Sequence, residues 1–196
     1  MIKRHRHDGD NGFSLIEMLV VLMLLSIVGT VVTTAMVTGL QRTRQAQNRA
    51  TSSEAVQTQV ERIARDIRVA DPIQAATSTS ITVDLYQGGT SCVRRTWTVS
   101  SGSLSSTTLS FSTWAACNVY PATATPTSTV TKTWLTSLNN GATPVFAYVD
   151  STGTSLTNPS PNKVAGVHIT LSQSGSENRT GTSYDTSVGV RNETLG

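Results

Sequence analysis

A carboxylate inside an apolar segment is the first place where this chain could do chemistry. Residues 12–17 read Gly-Phe-Ser-Leu-Ile-Glu, and Glu17 is the only charged residue between Phe13 and Leu40. A charged group at the centre of a membrane helix costs on the order of 3 kcal/mol or more, so it usually has a partner. The position predicts an ionic contact for Glu17. The alternative is a plain signal anchor whose Glu17 reaches the membrane face.

The other ionisable candidates favour structural roles. His168 lies between two apolar residues of a predicted strand, which favours an outward-facing residue over a base. Asp150, followed by Gly153, lacks the acidic series of a calcium loop, so a β-turn is predicted there. The sequence has no Gly-x-Ser-x-Gly, HExxH or CxxC motif. No catalytic residue, metal ligand or cofactor is therefore predicted, and the chain is not interpreted as an enzyme.

Cys92 and Cys117 are the two cysteines of the chain. A disulfide between them is predicted if this region lies outside the cytoplasm, and two unpaired cysteines are the alternative. The three tryptophans, Trp97, Trp114 and Trp134, could form an exposed ligand platform. Core or half-buried positions in a sheet are favoured for them.

One long helix is predicted to position Glu17. The apolar run from Phe13 to Leu40 would be roughly 42 Å long as a helix, whereas a membrane span needs about 20 residues. From Gln41 the sequence is polar but periodic, which predicts an amphipathic helix to Ala70, with a stop at Asp71-Pro72. The apolar stripe of this second half consists of Ala46, Ala50, Ser53, Val56, Val60, Ile63, Ile67 and Ala70.

This stripe becomes bulkier from Val56 onward, which favours packing on a local domain, with a coiled-coil stalk as the alternative. Arg62 and Asp66 are predicted to pair along the helix. Gly29 and Gly39 each weaken a helix interior, but no proline interrupts it. A continuous helix is expected for an isolated subunit.

Short alternating segments after Pro72 predict antiparallel strands. The predicted strands are Ser80–Tyr86, Ser91–Ser100, Ser103–Thr113, Pro144–Tyr148, Lys163–Ser172 and Thr182–Arg191. Ala122–Thr133 is rich in Thr and Pro and is predicted to be a surface loop, as is Ser174–Gly181. The formal net charge of only +3, without a basic aromatic patch, gives no sign of a nucleic-acid partner.

The first 40 residues resemble the class III signal of type IV prepilins and pseudopilins. A short leader with Lys3, Arg4 and Arg6 precedes Gly12, and Glu17 and the apolar run follow. The resemblance implies cleavage between Gly12 and Phe13 by a prepilin peptidase, followed by N-methylation of Phe13. It also implies that Glu17 meets the new amine of a neighbouring subunit.

Three further blocks are similar to the J-type minor pseudopilins of type II secretion and to related minor pilins of pilus and competence systems. The blocks are residues 60–70, 145–153 and the pair 167–171 with 188–192. The resemblance implies an α+β, pilin-like fold, in which one long helix packs on an antiparallel β-sheet domain. The implied parts are a leader (1–12), a membrane or filament-core helix (13–40), an amphipathic helix (41–71) and an extracytoplasmic β-rich domain (72–196).

The function implied is a minor subunit that acts in filament initiation or at the tip and has no enzymatic activity. The implied partners are the prepilin peptidase, other minor and major pilins or pseudopilins, the assembly platform, and membrane lipid before assembly. Two alternatives are a filament-borne adhesin or ligand-binding module, with DNA uptake as one version, and an anchored extracytoplasmic enzyme.

The resemblance also implies a single span in the bacterial inner or plasma membrane, with the amino terminus in the cytoplasm. After assembly the domain would lie at the cell surface or in the periplasm. Basic residues are nearly even on the two sides of the span, because Arg42, Arg44 and Arg49 follow it. The positive-inside rule therefore does not decide the orientation, and the orientation depends on the motif.

Overall fold

A computed structural model describes residues 14–70, 72–89, 91–117, 124–174 and 181–190. The chain divides into two units, Met1–Asn48 and Arg49–Gly196, which are described separately. The predicted α+β class is confirmed: one long helix, α1 (Leu15–Arg68), is followed by antiparallel β-sheets on which its C-terminal part packs.

Helix α1 is continuous through Gly29 and Gly39, as predicted. Its end is a short tightened turn, because the N–H of Ala70 bonds to the Ile67 carbonyl at 3.3 Å. The predicted stop residue Asp71 lies outside the described residues. Pro72 follows it, and a residue before proline is disfavoured in the α region.

Within Arg49–Gly196, one face of α1 enters the core. Val56, Val60, Ile63 and Ile67 have no exposed side-chain surface, and Ala64 and Ala70 are also buried. The predicted stripe is therefore confirmed from Val56 onward, and the helix packs on a local domain. Its earlier members Ala46, Ala50 and Ser53 are exposed.

The first sheet is a five-stranded antiparallel meander in the order β1-β2-β3-β4-β5. Its strands are β1 (Ile73–Ala76), β2 (Ser80–Tyr86), β3 (Cys92–Ser100), β4 (Ser103–Phe111) and β5 (Ser128–Leu135). The turn between β3 and β4 has φ of 48° at Ser101 and 70° at Gly102. Positive φ at both central residues is the geometry of a tight two-residue hairpin, as the Ser-Gly pair predicts.

The second sheet has four antiparallel strands in the order β7-β6-β8-β9. These strands are β6 (Phe146–Val149), β7 (Ser155–Leu156), β8 (Gly166–Gln173) and β9 (Thr182–Gly189). The sequence led us to expect one sheet, whereas the strands divide between two. Lys163 was assigned to β8 and lies instead at the end of a 3-10 helix, Pro161–Lys163.

The prediction of a surface loop at Ala122–Thr133 was wrong for Ser128–Thr133, whereas the described residues 124–127 are irregular, as predicted. Ser128–Thr133 belongs to β5, which pairs with β4. Its side chains are exposed on both faces, so the apolar alternation that marks a half-buried strand is missing from the sequence. Backbone pairing and threonine, a good strand former, make this segment a strand.

The two sheets meet at the turn between β1 and β2. The N–H groups of Val145 and Phe146 both donate to the Ser78 carbonyl, at 2.9 and 3.1 Å. The Tyr148 hydroxyl donates to the Thr77 carbonyl at 2.8 Å. Burial raises the pKa of Tyr148 well above its usual range, so the phenol stays protonated and keeps this bond at physiological pH.

A buried carboxylate joins α1 to the middle of the first sheet. Asp66 accepts two bonds from Nη1 of Arg95, at 2.9 and 3.1 Å, and one from Nε1 of Trp97 at 2.9 Å. The predicted partner of Asp66 was Arg62, and this prediction was wrong. Asp66 binds donors on the sheet instead, and Arg62 lies over the ring of Trp134.

We predict that Ile63→Ala destabilises the folded domain by about 2–5 kcal/mol, because it leaves a cavity between helix and sheets. Val69→Ala is the matched control, since Val69 directly follows the helix, is 61% exposed and should change stability by less than about 0.5 kcal/mol. Urea unfolding of the full chain in detergent micelles, followed by tryptophan fluorescence, measures both. Equal losses would contradict the assigned helix face.

Candidate membrane anchor and assembly site

The N-terminal unit presents an unbroken apolar surface on α1. From Leu15 to Leu40 the helix is about 39 Å long at 1.5 Å per residue, which exceeds the roughly 30 Å of a bilayer core. Every described residue of this stretch is exposed in the isolated chain. In the part of the chain that the structure describes, α1 is the one helix long and apolar enough to cross a membrane.

The hydroxyl groups within this apolar stretch are bonded to the helix itself. Ser26 donates to the Met23 carbonyl at 2.7 Å, and Thr33 donates to the Gly29 carbonyl at 2.8 Å. Thr30, Thr34 and Thr38 donate in the same way to carbonyls three or four residues earlier. Back-bonding of this kind satisfies a hydroxyl without water. The polar side chains thus do not prevent burial in lipid or between helices.

Glu17 lies in the first turn of α1. Its own N–H donates to the Ser14 carbonyl at 2.9 Å, and its side chain is exposed. The N-terminal end of a helix carries partial positive charge, which favours a carboxylate in the first turn. The structure therefore places one exposed acidic group at the start of an otherwise apolar surface. Gly12 and Phe13 lie outside the described residues.

Residues 8–33 match the family model of the prokaryotic N-terminal methylation motif. The matched stretch contains Gly12, Phe13 and Glu17, together with most of the exposed apolar surface. The comparison with curated proteins gives no match. The motif supports a type IV pilin-like protein with a single-pass anchor and suggests a structural subunit.

The globular domain contains the disulfide that the sequence predicted, between Cys92 and Cys117. Cys92 begins β3, and Cys117 ends a short helix, α2 (Trp114–Cys117). Both cysteines and Phe111 are buried together in a small second core. The disulfide therefore fastens the segment after β4 across the face of the first sheet that includes Asp84 and Arg94.

Sequence reasoning missed a buried ion pair under this segment. Nε and Nη2 of Arg94 donate to the two oxygens of Asp84, at 2.8 and 2.9 Å, and both side chains are almost fully buried. Gln74 donates to Asp84 at 2.6 Å, and Arg94 also bonds to the Cys117 carbonyl. A buried pair of this kind is tolerable only when further hydrogen bonds satisfy it.

The sequences of β2 and β3 contained a signal for the ion pair between Asp84 and Arg94. With β2 and β3 paired antiparallel, Asp84 is directly opposite Arg94, and opposite charges attract at such positions. Alternation along β2 puts Ile81, Val83 and Leu85 on one face, which leaves Asp84 on the opposite face. Both faces of β2 are in fact buried, because α2 and the disulfide cover the second one.

Asp150 and His168 occupy the structural positions that were predicted for them. The Thr152 hydroxyl and the Thr154 N–H donate to Oδ1 of Asp150, at 2.6 and 2.9 Å, and they hold the pKa of this exposed carboxyl below its usual range. This is a β-turn closed by an aspartate. His168 faces outward on β8 and bonds to Ser187 at 2.8 Å. Among the described residues, no cluster of His, Cys, Asp or Glu could hold a metal ion.

The three tryptophans do not form an exposed platform. Trp97 is fully buried, whereas Trp114 and Trp134 are half-buried. Trp134 packs against Trp97 at 6.0 Å between ring centres, and Trp114 packs edge-on against Tyr86 at 5.7 Å. These contacts confirm the core and half-buried positions that the sequence favoured.

Replacing both cysteines, Cys92→Ser with Cys117→Ser, should destabilise the domain by about 3 kcal/mol, because the bridge closes a loop of 25 residues in the unfolded chain. The measurement is the urea midpoint of the full chain in detergent micelles. Reduction of the unmodified chain is the control and should shift the midpoint in the same direction. An unchanged midpoint in both samples would contradict a stabilising bridge.

Proposed function

We propose that this chain is a minor subunit of a type IV pilin-like filament, of the pilus, type II secretion or competence kind. The single observation that carries the proposal is the methylation motif at residues 8–33, which coincides with a helix that is apolar on all sides and has Glu17 in its first turn. A helix apolar all round is suited to burial in lipid or among other helices. A filament subunit is surrounded by lipid before assembly and by other helices within the filament.

Processing is the first step of the proposed function. The precursor lies in the membrane with residues 1–12 on the cytoplasmic side, where a prepilin peptidase hydrolyses the peptide bond between Gly12 and Phe13. The product is a chain that begins with a free, positively charged amine on Phe13, which is then methylated. The amine lies four residues before Glu17, so both charges occupy the same end of the helix.

The carboxylate of Glu17 is the proposed assembly contact. In the filament it meets the Phe13 amine of a neighbouring subunit, because a charge within an apolar bundle is penalised unless it is paired. Such a pair is much stronger in a low dielectric than in water. The pair would set the axial offset between subunits, and the apolar faces of their helices would supply the remaining contact.

A minor role in initiation or at the tip is supported by the blocks similar to J-type pseudopilins. The first block, Val60–Ala70, supplies the helix face that packs on the sheets. The second and third blocks contribute β6, most of β8 and the last two residues of β9 in the second sheet. The folded domain would remain outside the cytoplasm, where a disulfide persists.

Gly12→Ala should abolish processing, because the methyl group occupies the position that the peptidase accepts as glycine. The measurement is the intact mass of the membrane protein from cells that express the peptidase, and the expected product is the uncleaved precursor. Gly9→Ala in the same leader is the matched control and should be cleaved normally. A mature-size product from Gly12→Ala would rule out this cleavage site.

Glu17→Gln should reduce incorporation into filaments by about tenfold or more, because it leaves the neighbouring amine without its charged partner. Processing should stay largely intact. The measurement is the ratio of the protein in sheared filaments to that in membranes, by quantitative immunoblot. Glu17→Asp, which keeps the charge, is the control and should be recruited better than Glu17→Gln. Normal recruitment of Glu17→Gln would refute the pairing.

A further inference from the structure

Strand β5 leaves one edge of the first sheet open. It is the last strand in the sheet order and pairs only with β4 among the described strands. Ser128–Thr133 is exposed on both faces. An open edge presents unpaired N–H and C=O groups, and an extended segment of another chain can pair with them.

Two cations are held beside this edge. The Lys132 ammonium lies 3.9 Å from the centre of the Trp134 ring, and the Arg62 guanidinium lies 4.2 Å from it. The ring itself is fixed, because Nε1 of Trp134 donates to the Ser106 hydroxyl at 2.8 Å. Cation–π contacts at these distances restrain both side chains without neutralising them.

Neither cation has an acidic partner in the described part of the chain. The salt bridges there join Arg94 to Asp84, Arg95 to Asp66 and His168 to Asp185. Arg62 and Lys132 therefore form a positive site next to free backbone groups. An exposed edge lysine discourages pairing with apolar strands, and it attracts a strand that carries carboxylates.

We propose that the β5 edge is a docking surface for an extended acidic segment of another protein, which adds to the first sheet as a sixth strand. Side chains alternate along a strand, so Val130 and Lys132 face the same side. Val130 is 59% exposed and offers an apolar contact next to the cation. The fitting segment therefore alternates apolar and acidic residues. All the residues of this surface belong to the unit Arg49–Gly196, and the proposal does not depend on the processing of Gly12.

The open strand edge and the residues around it favour a peptide over a nucleic acid as the ligand of β5. Both ligands would be attracted by Arg62 and Lys132, but only a peptide supplies the N–H and C=O groups that complete a strand ladder. The edge residues around the cations are mainly Ser and Thr, whereas single-stranded nucleic acids bind to grooves with several aromatic stacking surfaces. The half-buried Trp134 already has cations against its ring.

The test uses the full chain in detergent micelles and a fluorescent eight-residue peptide in which glutamate alternates with valine. Binding is measured by anisotropy at low ionic strength. Lys132→Glu should weaken binding by about tenfold or more, because it puts like charges opposite each other. Lys163→Glu makes the same charge change on an exposed lysine of the 3-10 helix and should bind like the unmodified chain. Arg62→Gln is a second variant, for which weaker binding is expected.

Three probes separate the possible outcomes. A peptide with alternating lysine and valine should not bind, and neither should the acidic peptide with N-methylated backbone amides on its pairing edge. Equal binding of the N-methylated peptide would overturn strand addition. Binding of a single-stranded oligonucleotide in place of the acidic peptide would overturn the choice of a protein partner. Absence of acidic-peptide binding, or equal effects of Lys132→Glu and Lys163→Glu, would overturn the proposal.

Discussion

The carboxylate of Asp66 is the contact on which the arrangement of the globular domain depends. It is 7% exposed and receives donors from both Arg95 and Trp97, which are neighbours on one face of β3. The apolar residues on either side of it along the helix could slide over a sheet surface at small cost. A buried carboxylate cannot, because every other position would leave it without donors in a poorly solvated site. Asp66 thus sets where the helix lies on the first sheet.

One segment of the chain packs on each face of the first sheet, and different interactions hold the two segments there. On one face, residues 56–70 pack on the sheet, and the hydrogen bonds of Asp66 hold them there. On the other face the segment that ends at Cys117 is held by the disulfide and by Arg94, which bridges Asp84 and the Cys117 carbonyl. Aromatic residues make up only 5% of the chain, so few of the side chains in the apolar core are aromatic. The buried ion pairs and the disulfide add to the stability that apolar packing gives the domain.

The two surfaces that we propose for binding lie outside the hydrophobic core. The apolar surface of α1 before Leu40 is exposed in the isolated chain, and a span of that length needs lipid or other helices around it. The edge of β5 is exposed for a different reason, because its sheet ends there. The two surfaces differ in chemistry: one is apolar with a single negative charge, and the other is polar with two positive charges.

The sequence by itself determined the long helix, its packing face from Val56, the hairpin of β2 and β3, the disulfide and the anchor, because these depend on local periodicity, turn residues and composition. It misassigned β5, whose exposed side chains form no apolar face, and it missed the buried pair of Asp84 and Arg94. Only the tertiary structure decided that the strands form two sheets, that Asp66 pairs with Arg95 instead of Arg62, and that Lys132 and Arg62 meet at Trp134. The contacts of Asp66 with Arg95 and of Arg62 with Trp134 join residues distant in sequence, so no local pattern distinguishes the chosen partner from the other residues that could have met it.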